Sequence, residues 1–81
     1  MKVGIKIMPR EVILDTQGRA VLESMKAGGF KLLETCRVGK YLELNIKTEN
    51  SDLAHQEALK MLNEGGLYNP LIEKFEVETL S

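Results

Sequence analysis

Two glycine pairs, Gly28-Gly29 and Gly65-Gly66, each close a stretch whose apolar residues have helical spacing, and they give this 81-residue chain two halves of one plan. Glycine tolerates the left-handed backbone that helix C-caps commonly need, so each pair marks a helix end and hands the chain on to an extended segment. The halves otherwise match too poorly in residues to be a sequence repeat.

The first half opens with Val3, Ile5 and Ile7 at period two between Lys2, Gly4 and Lys6, the pattern of a strand over roughly 2–8 with one face on a core. Pro9 ends it, because proline has no N–H for the ladder. Asp15 or Thr16 then caps a helix over roughly 16–27, where Gly18, Val21, Leu22 and Met25 share one face. In the segment Leu32 to Val38, Leu32, Cys36 and Val38 lie on one side and Leu33, Thr35 and Arg37 on the other, which reads as a second strand. Gly39-Lys40 is short enough for a hairpin turn into a third, where Leu42, Leu44 and Ile46 alternate with Tyr41, Glu43, Asn45 and Lys47.

In the second half Glu49-Asn50-Ser51-Asp52 offers capping oxygens and negative charge to a helix over roughly 52–64, with Leu53, Ala54, Ala58, Met61 and Leu62 at helical spacing. After Asn69-Pro70, Phe75 and Val77 alternate with Lys74, Glu76 and Glu78 as a fourth strand. Glu76 and Glu78 would pair with Lys2 and Lys6 across neighbouring outer strands. The expected fold is a single α+β domain over 1–81, β-α-β-β-α-β and ferredoxin-like in outline, with one antiparallel sheet and both helices on one face.

A chain of this length buries about 60–65% of the surface its unfolded form exposes, so the core is thin and oligomerisation would help it. Eleven Lys and Arg against 12 Asp and Glu leave a net charge of −1, which gives no long-range field for nucleic acid or anionic lipid. Tyr41 alone is no stacking platform for RNA bases. No apolar run reaches the length of a signal-peptide core or a membrane span, and one cysteine makes no internal disulfide, so a reducing, cytoplasmic setting is expected.

Catalytic chemistry is hard to find. Cys36 and His55 are the only nucleophile and base of the cysteine-histidine kind, and Cys36 sits in Glu34-Thr35-Cys36-Arg37 without the glycines of a nucleophile elbow. It reads as a small core hydrophobe, and His55 as a boundary residue on the second helix. Glu73, Glu76 and Glu78 read as solvated strand positions, and a single His and Cys cannot assemble a zinc site. No glycine loop opens a helix to cradle phosphate. The residues in odd contexts are Asp15, Gln17 and Gly18 at a helix start, and Arg37, Gly39 and Lys40 around the expected hairpin. Glycine in a first helical turn costs roughly 0.5–1 kcal/mol against alanine, so Gly18 wants a reason.

At these residues the chain resembles the PurS family, the small subunit of bacterial and archaeal phosphoribosylformylglycinamidine synthase. Ile13-Leu14-Asp15-Thr16-Gln17-Gly18-Arg19-Ala20-Val21 is similar to that family's Leu-Asp-Pro-Gln-Gly-x-Ala-Val signature, and Arg37-Val38-Gly39-Lys40-Tyr41-Leu42-Glu43-Leu44 to its hairpin. Asn69 to Glu78 resembles its last strand. Thr16 stands where proline is usual, and Lys74-Phe75 where an Asp or Asn and a Tyr are common.

The resemblance implies a part in purine biosynthesis, as a subunit of an ATP-dependent, glutamine-hydrolysing C–N ligase that turns formylglycinamide ribonucleotide into its amidine. It further implies a homo-oligomer, dimer or tetramer, that bridges the synthetase subunit PurL and the glutaminase subunit PurQ and assists ammonia transfer. ATP and Mg²⁺ belong to the large subunit, with no cofactor, metal or catalytic residue on this chain. Asp15, Gln17, Gly18, Arg37, Gly39 and Lys40 would form the partner interface. An ACT-like regulatory module that binds an amino acid shares the strand–helix order and is the alternative, although Pro9 to Leu14 lacks the glycine-bearing loop such a site uses. Composition alone also admits an assembly adaptor unrelated to purines.

Overall fold

β-branched residues at period two build the centre of the molecule. Val3, Ile5 and Ile7 on β1 (Lys2–Pro9) are fully buried, and they pack against Ala54, Ala58 and Leu62 of α2 (Ser51–Asn63). The two alanines present no bulk beyond a methyl, which lets the helix backbone come close to the strand. The structure, a computed structural model, describes residues 1–80. Its remaining elements are α1 (Thr16–Ala27), β2 (Lys40–Asn45) and β3 (Glu73–Thr79).

The sheet has three strands in the order β2-β1-β3, both pairs antiparallel. Leu44 and Thr79 flank Val3, Leu42 and Val77 flank Ile5, and Phe75 and Lys40 flank Ile7, so one sheet face is apolar along β1 and over most of its neighbours. Tyr68 adds an edge-to-face contact to Phe75, with ring centroids 4.9 Å apart. The opposite face carries Lys2–Glu43 at 3.4 Å and Lys6–Glu76 at 3.3 Å, and the Tyr41 hydroxyl donates to Glu78 at 3.1 Å. The expected Lys6–Glu76 pair is present, whereas Glu78 accepts a hydrogen bond from Tyr41 and Lys2 reaches to the other edge strand.

Caps fall where free N–H groups need them. Asn50 Oδ1 accepts from Asp52 N and Leu53 N, at 2.9 and 3.3 Å, and Asp52 places negative charge in the first turn of α2. Gly29 and Gly66, just beyond the helices, take positive φ values of 101° and 73°.

The α+β class and the antiparallel sheet stand, and two expectations are corrected. Residues 32–38 form no strand, and α1 does not lie on the sheet: among the described residues it packs against no strand and not against α2. The molecule is consequently long and flat, 47 × 26 × 13 Å. The missing strand has a local cause. Gly39 runs on beside the end of β1, where a Cβ would meet Ile7 O at 2.3 Å, so the chain does not turn back at Gly39-Lys40 and residues 32–38 never reach the outer edge of β2.

Leu62 is the largest side chain that α2 buries fully against β1. Leu62→Ala is expected to lower the unfolding free energy by about 2–5 kcal/mol, read from urea denaturation with an unchanged m-value.

Candidate functional site

The segment between β1 and α1 carries a backbone that leaves the sheet at Pro9 and needs new hydrogen-bond partners before the helix begins. One carboxylate, at the end of that segment, ties together two other parts of the chain. Asp15 is the N-cap of α1, with Oδ1 accepting from Gly18 N at 2.9 Å, while Oδ2 accepts from Val38 N at 2.7 Å, 23 residues further on. The N–H of Gly18, then that of Val38, and more weakly the Arg37 charge hold the Asp15 carboxyl below its ordinary range, against a smaller opposing effect of desolvation.

Arg37 closes the same junction from the other strand of chain. Its guanidinium donates to Pro9 O and, at 2.8 Å, to Arg10 O. Gly18 is buried in the first turn because the chain of Cys36 crosses it: a Cβ there would stand 2.3 Å from Cys36 O and 2.4 Å from Asp15 Oδ2. That close crossing is the reason a helix-weakening residue sits at this position. Asp15, Gly18, Arg37 and Gly39 thus make one clasp that ties residues 36–39 to residues 9–18.

Lys40 and Gln17 lie beside the clasp, with their side chains more open to solvent. Lys40 Nζ stands 3.4 Å from Leu67 O and 3.9 Å from the Glu73 carboxylate. Together with Pro9, Leu14, Val38 and Glu73 they line an open cleft of about 290 Å³. Leu14, in its lining, leaves much apolar surface uncovered, and so does Val12, two residues earlier, at 90% exposure. The six residues singled out from the sequence therefore gather at one end of the sheet.

Sequence reasoning missed Glu73 and the carbonyls of Pro9 and Arg10. The signal for Glu73 lies in the strand register, since β1 pairs Ile7 with Lys40 on one side and Pro9 with Glu73 on the other. A second pair near the cleft, Lys74 with Glu11 at 2.5 Å, holds the Glu11 carboxyl below its ordinary range, chiefly through that hydrogen bond. Cys36 is half-buried beside α1 instead of in the core as its alternation suggested, and His55 is exposed on α2 instead of at the edge of its apolar stripe. Among the described residues no group of three His, Cys, Asp or Glu could hold a metal ion. The arrangement can present a shaped, mixed apolar and cationic surface to another protein.

A family model described as PurS, phosphoribosylformylglycinamidine (FGAM) synthase, matches residues 2–81. The chain belongs to the PurS family. Its similarity to the FGAM synthase subunit PurS of Bacillus subtilis is 32% identity over 77 residues, covering 95% of this chain and 89% of the relative. Among solved structures, the PurS subunit from Thermotoga maritima superimposes with a TM-score of 0.87 at 26% identity, covering 98% of this chain and 90% of that one. A chain in the Thermotoga maritima PurLQS structure gives a TM-score of 0.86 at 26% identity, with 98% and 95% coverage. The resemblance at Asp15 to Gly18 and Arg37 to Lys40 is thus part of a match along the whole chain, and nothing in these comparisons supports an ACT-like module.

The clasp has a testable acid limit. A carboxyl with its folded pKa below the unfolded value near 3.8 contributes stability that is complete above that value and disappears as the pH falls through the folded one. The amide resonances of Gly18 and Val38 should titrate together with a shared midpoint below 3.8; separate midpoints, or one above that value, would contradict a single shared carboxylate.

Proposed function

We propose that this chain is the non-catalytic small subunit of a glutamine-dependent FGAM synthase, where it bridges the synthetase subunit PurL and the glutaminase subunit PurQ and assists ammonia transfer. The observation that carries this reading is the whole-length match to the PurS family, which includes a chain of the PurLQS structure. ATP and Mg²⁺ act on the large subunit in this reading, the subunit works in the cytoplasm, and the chain assembles as a homo-oligomer.

The physical task of such a subunit is to exclude water. Free ammonia is protonated and lost in bulk water, so a sealed interface between a glutaminase and a synthetase has a direct use. Asp15, Gly18, Arg37 and Gly39 serve this by fixing backbone shape, because their polar groups or close contacts are already spent within the chain. Gln17 and Lys40, at the rim, supply contacts to a partner carboxylate or backbone.

Glutamine-dependent turnover by the PurL and PurQ subunits should rise when this chain is added, and equal rates at all concentrations would sink the bridging role. Lys40→Ala should weaken assembly about two- to fivefold, the size of an exposed ion pair, and leave the unfolding midpoint of the chain unchanged. Arg37→Ala should weaken assembly as well, accompanied by a lower midpoint because the clasp opens.

A further inference from the structure

Two loops at the cleft end of the sheet hold apolar side chains out to solvent. Residues 10–14 and 69–72 contain no glycine, and they carry Val12 at 90% exposure, Leu71 at 82%, and the exposed Leu14 and Ile72. Leu14 and Ile72 line the cleft beside Lys40, and Val12 and Leu71 stand on the same two loops. Residues that only turn a chain are mostly Gly, Pro, Asn, Asp and Ser, so four branched apolar side chains here want a reason.

Both loops are stiff. Arg10 N donates to Ile72 O at 2.9 Å and Arg10 Nε to Pro70 O at 3.0 Å, which fastens one loop alongside the other. Ile13 N donates back to Arg10 O, and Lys74 reaches across to Glu11. Residues 69–73 close on themselves: Leu71 N donates to Asn69 Oδ1, Ile72 N and Glu73 N to Asn69 O, and Asn69 N to the Glu73 carboxylate. The backbone under these side chains is therefore ordered on folding, and binding does not have to order it.

Charge at this end is unevenly matched. Lys40 stands near Glu73, Lys74 holds Glu11, and Arg37 lies toward Asp15. Arg10 is different: its Nε is spent on a carbonyl, and among the described residues no carboxylate pairs with it. An exposed guanidinium among apolar side chains suits a carboxylate that arrives from outside the chain.

We propose that loops 10–14 and 69–72 dock a segment of a larger partner subunit in which a carboxylate stands beside apolar side chains. The carboxylate pairs with Arg10, and the apolar residues cover Val12, Leu14, Leu71 and Ile72. The proposal rests on the bridging role above and specifies where, and by what chemistry, one partner is held. A second copy of the chain is a poor occupant, since a two-fold contact sets this patch against itself and brings Arg10 no free carboxylate.

The test measures binding of the full chain to the PurL and PurQ subunits, each alone and both together. Val12→Ser with Leu71→Ser should weaken binding to one of them by about tenfold or more. Both side chains lie open to solvent, so the unfolding midpoint and the state of association on a sizing column should not move. Arg10→Gln should weaken the same binding about two- to tenfold and flatten its dependence on salt, because an ion pair is lost from the contact. Binding that neither variant changes overturns the docking surface and leaves the bridging role standing. A double variant that loses the homo-oligomer also overturns it, and assigns the patch to contacts between copies. An Arg10→Gln chain with the wild-type salt dependence overturns the pairing with a carboxylate. A chain that binds neither subunit, alone or together, overturns the docking surface and the bridging role at once.

Discussion

One carboxylate holds the parts of this molecule in their relative places. Asp15 accepts from Gly18 N at the start of α1 and from Val38 N just before β2, so a single side chain sets where the helix begins and where the return strand enters the sheet. Arg37 fastens the same crossing to the Pro9 and Arg10 carbonyls. Gly18 and Gly39 are the two points where this crossing leaves no room for a Cβ, and both stand in the motifs that carry the family resemblance. The signature is therefore a description of how two loops cross, and the cleft at the end of the sheet is its outward result.

The sequence was readable where periodicity and burial coincide. Val3, Ile5 and Ile7 alternate because β1 is the central strand with one face on α2, and Ala54, Ala58 and Leu62 recur at helical spacing because the same contact requires it. The helix limits were legible from Asp15 and Asn50, whose side chains cap as their position implies. What could not be read was where the segment 32–38 goes. Its alternation is genuine, but a hairpin at Gly39-Lys40 depends on whether the chain can bend there, and that is decided by Ile7 O and by Asp15, both far away in sequence. A glycine that reads as a turn former is needed instead for a close passage.

The candidate site shows the same division. Asp15, Gly18, Arg37 and Gly39 stood out as residues in odd contexts, and the sequence could not tell that they touch one another more than they face a partner. Glu73 was passed over as a solvated strand residue because its relation to Lys40 exists only through β1, which lies between their strands.

The far face of the sheet has a role of its own. There Lys2 meets Glu43, Lys6 meets Glu76, and Tyr41 binds Glu78 across the central strand, so nearly every charge is matched within the face that carries it. Such a surface projects almost no field into solvent and attracts no charged neighbour from a distance. In a crowded assembly it behaves as electrically quiet ground. The end of the sheet where Lys40 and the uncovered Leu14 line one cleft has no such internal balance of its surface.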